Sequence, residues 1–209
     1  LPREFPDQVL KEAESISPDI SEEEVINRRD LRDLPMVTID GEDAKDFDDA
    51  VSIEKLEEGK VRLGVHIADV THYVKENSKL DQEALQRGTS IYLVDRVIPM
   101  LPEKLSNGIC SLKPRQNRLT LSVFMDYQLK PLELLDYEII PSIIKTNYRM
   151  TYNEVREILV DNNQEVVEEY QDFVPKLELM NKLSESLRTQ RFANGSLDFD
   201  FPEVEVKLD

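Results

Sequence analysis

The sequence has few of the residues on which several classes of protein depend. Its 209 residues include one cysteine, Cys110, and two histidines, His66 and His72. A lone cysteine cannot form a disulfide within the chain, so a small oxidised framework is excluded and a reducing, cytoplasmic setting is expected. Two histidines without companion ligands do not make the pattern of a zinc site. We therefore expect all three to be structural residues.

Long apolar runs and an excess of basic residues are also missing. No stretch reaches the roughly 18 to 20 apolar residues of a membrane helix, so no membrane partner is expected. The start, Leu1-Pro2-Arg3, is not typical of a signal peptide, and we expect a piece of a larger protein. The 26 Lys and Arg against 43 Asp and Glu give a net charge of −17, which argues against a sequence-independent polyanion binder. Only residues 85–120, with six basic and two acidic side chains, could form a basic surface, or simply a solvated one.

Regular patterns of apolar residues indicate one globular domain that contains both helices and strands. The predicted helices are 6–16, one that begins after Ser21, 78–88, one that begins after Thr151 and ends near 162–163, and a long one to about Arg191. The predicted strands are 36–39, 51–54, 61–67, 119–127, 134–144 and 204–208. Because helices and strands do not alternate regularly, we predict an α+β fold, with a mixed, largely antiparallel sheet flanked by helices. Residues 1–30 are interpreted as an entry arm and 31–209 as the domain.

Residues 40–49 are the most informative part of the sequence. They read Asp-Gly-Glu-Asp-Ala-Lys-Asp-Phe-Asp-Asp and hold six carboxylates and one lysine between two predicted strands. Like charges a few ångströms apart repel by about 1 to 4 kcal/mol per pair at effective dielectric constants of roughly 80 to 20. In an extended segment Asp46 and Asp48 project to one side and Phe47 to the other, and a turn at Gly41 would bring Asp40 beside them.

A bound cation would relieve this repulsion, with Asp49 as a fourth oxygen donor. Ligands that are all oxygen favour hard ions, Mg²⁺ or Mn²⁺ first, and such a metal supports phosphodiester hydrolysis. A solvated acidic loop and a calcium site remain alternatives. The spacing and the flanking strands disagree with the EF-hand pattern of calcium proteins.

Six segments of the sequence resemble the ribonuclease II and ribonuclease R family. They are 38–51, 65–74, 87–93, 98–102, 105–112 and 195–202. The residues Gly-Glu-Asp-Ala-Lys at 41–45 and Asp-Phe-Asp-Phe-Pro at 198–202 are most similar to the bacterial ribonuclease R branch. The resemblance implies the N-terminal half of that family's catalytic domain, with cold-shock and S1 domains flanking it in the parent chain.

The resemblance also implies an activity and a set of site residues. Family members are Mg²⁺-dependent, processive 3′→5′ exoribonucleases that degrade single-stranded RNA to nucleoside 5′-monophosphates during mRNA and rRNA turnover. Asp40, Asp46, Asp48 and Asp49 match the family's catalytic, metal-holding aspartates. Tyr92 matches the aromatic residue that stacks near the 3′-terminal nucleotide. The family's essential arginine and a further glutamate fall beyond residue 209, so we expect this piece alone to be inactive or nearly so.

A different class of function is a catalytically silent RNA-binding or assembly module that retains the fold. Loss of an aspartate would mark such a module, and all four are present. Phe199 and Phe201 alternate on a predicted strand and are expected to pack in the core, with base stacking as the alternative.

Overall fold

The computed structural model of the protein describes residues 3–197 and 199. The strands are β1 (Arg29–Leu31), β2 (Met36–Asp40), β3 (Asp49–Lys55), β4 (Lys60–Ala68), β5 (Ile91–Tyr92), β6 (Val97–Ile98), β7 (Asn117–Leu129), β8 (Leu132–Lys145) and β9 (Tyr148–Thr151). The helices are α1 (Asp7–Ser15), α2 (Glu22–Asn27), α3 (Val70–Tyr73), α4 (Lys79–Arg87), α5 (Tyr152–Arg156), α6 (Gln164–Glu169) and α7 (Val174–Ala193). A π-helical turn lies between β6 and β7 at Leu105–Ile109, and a second lies between α5 and α6 at Glu157–Asp161.

These elements confirm the predicted α+β class. The side chains of Ser21, Ser78 and Thr151 cap α2, α4 and α5, as their positions in the sequence predict. The predicted long helix is interrupted between α6 and α7, where Tyr170 leaves helical geometry. The predicted strand 204–208 and Phe201 lie outside the described residues, and Phe199 is not part of a strand.

The main sheet has seven strands in the order β1-β8-β7-β4-β3-β2-β9 and must curl strongly. Neighbouring strands are antiparallel except for the parallel pairs β1–β8 and β2–β9. The chain joins β1 to β2 through residues 32–35 and β8 to β9 through residues 146–147, although each pair is five places apart in the sheet. A flat sheet would separate them by about 24 Å, more than these connections can span. The sheet therefore bends round until its two edges approach each other.

Strand β2 is fixed from both sides. Met36 belongs to a buried cluster that also holds Phe47 and Leu80, whereas Val37 belongs to a second cluster beneath α7 with Leu177. Asn147, in the two-residue connection, accepts a hydrogen bond from Met36 N through Oδ1 (2.9 Å) and donates its own N–H to Met36 O (2.9 Å). The start of β2 is therefore anchored in the core, four residues before Asp40 at the other end of the strand.

Helix α1, within the predicted entry arm, also contributes to the core. Val9 and Ala13 are buried in the same cluster as Met36. The domain boundary near residue 30 stays a prediction.

A chain of buried polar side chains crosses β3, β4, β7 and β8. His66 Nε2 lies 2.9 Å from Ser52 Oγ, and Nδ1 lies 2.7 Å from Ser122 Oγ. Ser142 Oγ continues the chain at 2.5 Å from Ser122 Oγ and 2.7 Å from Thr120 Oγ1. Burial lowers the pKa of His66 to about 4, so the ring is neutral, with one nitrogen donating and the other accepting.

Cys110 is buried, and burial raises its pKa to about 12, which agrees with a structural thiol. No helix in the described part of the chain combines the length and apolar character needed to cross a membrane.

Candidate active site

The acidic loop, residues 41–48, joins the neighbouring antiparallel strands β2 and β3. Asp40 is the last residue of β2 and Asp49 the first of β3, so the loop begins and ends on adjacent strands. Ala44 N donates to Gly41 O (3.2 Å) and closes the predicted turn. Gly41 itself does not use the left-handed backbone region, so the turn does not depend on glycine there.

The second half of the loop is fixed by residues 111–112. Phe47 N donates to Ser111 Oγ (3.1 Å), and the same hydroxyl donates to Lys45 O (2.8 Å). Leu112 N donates to Phe47 O (2.7 Å). Phe47 is buried in the core, and Asp46 and Asp48 face the opposite way, as the alternation in the sequence predicts.

These two aspartates line a cleft of about 820 Å³ together with Asp40 and Tyr92. The far wall of the cleft is formed by Ser90, Arg96, Val97, Pro99, Glu103, Ser106 and Asn107. Tyr92 lies on the short β5–β6 hairpin with 67% of its surface exposed, and its hydroxyl donates to Asp46 Oδ2 (3.1 Å). Asp49 does not line the cleft. The structure thus brings together four of the five predicted site residues.

The carboxylates influence one another electrostatically. Burial, followed by the negative charges of Asp49 and Asp48, raises the pKa of Asp40. Burial and the charge of Asp48 likewise raise the pKa of Asp49. Oδ2 of Asp40 is buried and has no hydrogen-bond partner among the described residues. The cluster therefore holds negative charge at a free-energy cost.

This donor set suits a hard divalent cation, because its ligands are all carboxylate oxygens and one of them is buried without a partner. The side chains are nevertheless not arranged around one ion. Within residues 3–197 and 199, no three His, Cys, Asp or Glu side chains are placed to share a metal. Asp46, for example, faces Tyr92. The chemistry of the residues therefore fits a metal, whereas the present arrangement of the described side chains does not place three of them around one ion.

Sequence reasoning missed two residues that fix the first half of the loop. Nη2 of Arg149, on β9, donates to Gly41 O (2.6 Å) and Glu42 O (2.7 Å). Asn153 Nδ2 donates to Glu42 Oε1 (2.6 Å). The parallel pairing of β2 with β9 brings position 149 beside the loop. The alternation of Tyr148 and Met150 with Arg149 and Thr151 covers four residues, which is too short to predict a strand from the sequence.

The basic stretch 85–120 does not form one continuous basic surface. Arg87 is buried against Phe5 and donates to Glu83, Pro99 O and Glu4 O. Arg118 donates to Ser111 O and Gly108 O beneath the acidic loop. Arg96 lines the cleft and pairs with Asp95. At least two of the six basic residues therefore stabilise the fold.

Comparison with known proteins identifies the family. The model of the RNB domain matches residues 28–209. The chain belongs to the RNB domain family. This membership confirms the resemblance to the ribonuclease II and ribonuclease R family.

Individual RNB proteins agree along the whole chain. Ribonuclease R of Thermotoga maritima is 51% identical over 100% of this chain, which spans 29% of that protein. Ribonuclease R 1 of Lactococcus lactis is 48% identical over 97% of the chain and 25% of that protein. The structure of RNase R of Mycoplasma genitalium in complex with ribose-methylated single-stranded RNA superposes with a TM-score of 0.88 at 33% identity, covering 99% of this chain and 32% of that one. The chain therefore spans about a quarter to a third of its relatives' length.

Proposed function

We propose that the protein containing this chain is a processive 3′→5′ exoribonuclease that hydrolyses single-stranded RNA to nucleoside 5′-monophosphates during cytoplasmic mRNA and rRNA turnover. The observation that carries the proposal is that Asp40, at the end of β2, and Asp46 and Asp48, in the acidic loop, line one cleft. The relatives named ribonuclease R, and the RNA-bound relative, support RNA as the substrate.

In this proposal Asp40, Asp46, Asp48 and Asp49 are catalytic residues that hold Mg²⁺, with Mn²⁺ as a substitute. The bound metal would polarise the phosphoryl group, lower the pKa of the attacking water and stabilise charge on the leaving oxygen. The protein fixes Asp40 and Asp49 at the ends of neighbouring strands, and Ser111 fixes the loop between them. The exposed ring of Tyr92 would stack on a base near the RNA 3′ end.

The remaining parts of such an enzyme would lie elsewhere in the parent protein. These are the flanking cold-shock and S1 domains, the essential arginine and a further glutamate. We propose that residues 31–209 are the N-terminal portion of the catalytic domain and that this chain alone has little or no hydrolytic activity.

The two alternative functions predict different metal and RNA behaviour. A catalytically silent RNA-binding module would not hydrolyse RNA with any metal, and a calcium-stabilised module would bind Ca²⁺ tightly and independently of RNA. The presence of all four aspartates favours the enzyme. Selective Mg²⁺ or Mn²⁺ binding that tightens with RNA would support it further.

The variant Asp48→Asn in the full-length protein tests the proposal. Removal of a metal ligand is expected to lower the rate of nucleotide release from labelled single-stranded RNA by more than about 100-fold. Loss of a residue that only supports a metal ligand lowers activity by up to about 100-fold, and loss of the ligand itself should cost more. RNA binding should be largely retained, because it depends on basic and stacking contacts. The matched control Asp43→Asn removes the same charge from the same loop and should change the rate only a few-fold. Undiminished turnover in Asp48→Asn would refute the site.

A further inference from the structure

Unsatisfied buried polar atoms are concentrated beneath the acidic loop. Of the described residues, three have a buried side-chain nitrogen or oxygen without a hydrogen-bond partner: Thr38 Oγ1, Asp40 Oδ2 and Arg149 Nε. Thr38 pairs directly with Arg149 across β2 and β9, and Asp40 lies two residues further along the same face of β2. Buried polar groups are normally hydrogen-bonded, so three such atoms close together require an explanation.

The guanidinium of Arg149 contacts both halves of the loop. Nη2 donates to the carbonyl oxygens of Gly41 and Glu42 at 2.6 and 2.7 Å, directly after Asp40. Cζ lies 5.5 Å from the ring centroid of Phe47, which separates Asp46 from Asp48. Hydrogen bonds from a charged donor are stronger than neutral ones, and the aromatic face adds a cation–π contribution.

We propose that Arg149 is a positioning residue for the metal-binding carboxylates, an inference that rests on the proposed function. It acts through the loop and does not contact the reacting phosphate. By holding the carbonyl groups of residues 41–42 and the ring of Phe47, it keeps Asp40 and Asp48 directed into the cleft. The guanidinium can do both at once, with Nη2 at the carbonyl groups and the planar group near the ring, whereas a lysine ammonium has a single nitrogen for both contacts.

A positively charged residue beside metal ligands has two opposing effects on metal binding. The direction in which its removal changes the affinity distinguishes a positioning residue from a mere fixed charge. As a fixed charge, Arg149 repels a cation, so its removal would tighten metal binding. As a positioning residue, it lowers the cost of assembling the carboxylates, so its removal would weaken metal binding. The direction of the change therefore tests the proposal.

The experiment measures Mn²⁺ binding to the full-length protein by electron paramagnetic resonance of the free ion. Arg149→Met is expected to weaken binding by about tenfold or more, the size of effect found for residues that support metal ligands. Arg149→Lys, which keeps the positive charge and loses the planar guanidinium, is expected to weaken Mn²⁺ binding by a smaller factor. Arg62→Met is the matched control, because it breaks a bidentate ion pair with Asp126 on β7. Arg62 lies about 16 Å along β4 from the residue that pairs with Asp49. This variant should bind Mn²⁺ like wild type.

Equal or tighter Mn²⁺ binding by a folded Arg149→Met protein would overturn the proposal. If that variant does not fold, Arg149→Lys decides the question. Mn²⁺ binding equal to wild type in Arg149→Lys would show that the guanidinium group is not needed to position the carboxylates. The variant Asp48→Asn separates the two levels of inference. If it binds Mn²⁺ like wild type, or if wild type binds none, the metal site and this inference both fail. If only the Arg149 variants bind normally, the metal site stands and the positioning role fails.

Discussion

Tyr92 has two chemical groups that face the candidate site in different ways. Its hydroxyl donates to Asp46, whereas its ring is exposed at the cleft. Burial and the negative charge of Asp46 raise the pKa of the Tyr92 hydroxyl, so it stays protonated and able to donate at neutral pH. The hydroxyl would orient a metal ligand and the ring would hold RNA, and the two roles can be separated by substitution.

Replacing Tyr92 with alanine should lengthen the final RNA product and lower the rate modestly, because base–aromatic stacking contributes about 1 to 3 kcal/mol per base. Tyr92→Phe keeps the ring and should give the wild-type product length. Product length is read on a denaturing gel. Tyr137→Ala, a similarly exposed tyrosine on β8, is the control and should change neither quantity. A lengthened product from Tyr92→Phe would show that the hydroxyl, and not stacking, sets the product length.

At the scale of single elements, residues 111–112 form a support on which the acidic loop rests. Ser111 is buried, and its hydroxyl both accepts from Phe47 N and donates to Lys45 O. A serine in a loop after a π-helical turn carries no sequence signal for this role. The support becomes visible only once residues 45–47 and 111–112 are brought together in the fold.

Ser111→Ala should lower the free energy of unfolding by about 1 to 3 kcal/mol, because it leaves the buried N–H of Phe47 without a partner. Metal binding should weaken as well, since the loop loses its anchor. Urea titration measures the first effect and Mn²⁺ titration the second. Ser106→Ala, a half-buried serine in the preceding turn, should change the stability by no more than about 0.5 kcal/mol. Equal losses in both variants would argue against a specific support.

Some of the helices and strands could be predicted from the sequence and others could not. Strands with apolar alternation, such as β4 and β7, and helices with capping serines, such as α4, were predicted near their observed positions. The short strands β1 and β9 were missed because three and four residues are too few to predict a strand, and both are held by parallel pairing with β8 and β2. Arg149 lies on one of these missed strands. The aspartates were found because their chemistry is local in sequence, and Arg149 was missed because its partners are 107 and 108 residues away.

At the scale of the whole molecule, the polar chain centred on His66 links four strands of the curled sheet. His66 has a pKa of about 4 in the folded protein against an ordinary value of 6.5. Between these two pH values the unfolded chain binds a proton that the folded protein does not. The contribution of His66 to the free energy of unfolding is therefore fully present above pH 6.5 and is lost as the pH falls toward 4.

The free energy of unfolding should fall by up to about 1.4 kcal/mol per pH unit across this window because of His66 alone. His66→Gln should remove this part of the slope, although it also lowers the stability at neutral pH by disturbing the hydrogen bonds. Urea unfolding at pH 7 and pH 5 measures the difference. His72→Gln, at a half-buried position, should leave most of the slope in place. Parallel pH profiles for wild type and His66→Gln would contradict the assignment.

The two turns at the ends of β8 offer very different opportunities to a protein engineer. The turn at Lys130–Pro131 lies beside the Lys60 end of β4, about 26 Å along that strand from the end next to the acidic loop. A fluorophore, an affinity handle or a whole inserted protein placed there would leave the carboxylates undisturbed. The two-residue connection through Asn147 would not tolerate an insertion in the same way. One added residue there would shift Arg149 along β2 and break its hydrogen bonds to the acidic loop. If Arg149 positions the carboxylates as proposed, an insertion outside the acidic loop would then lower the affinity for a cation.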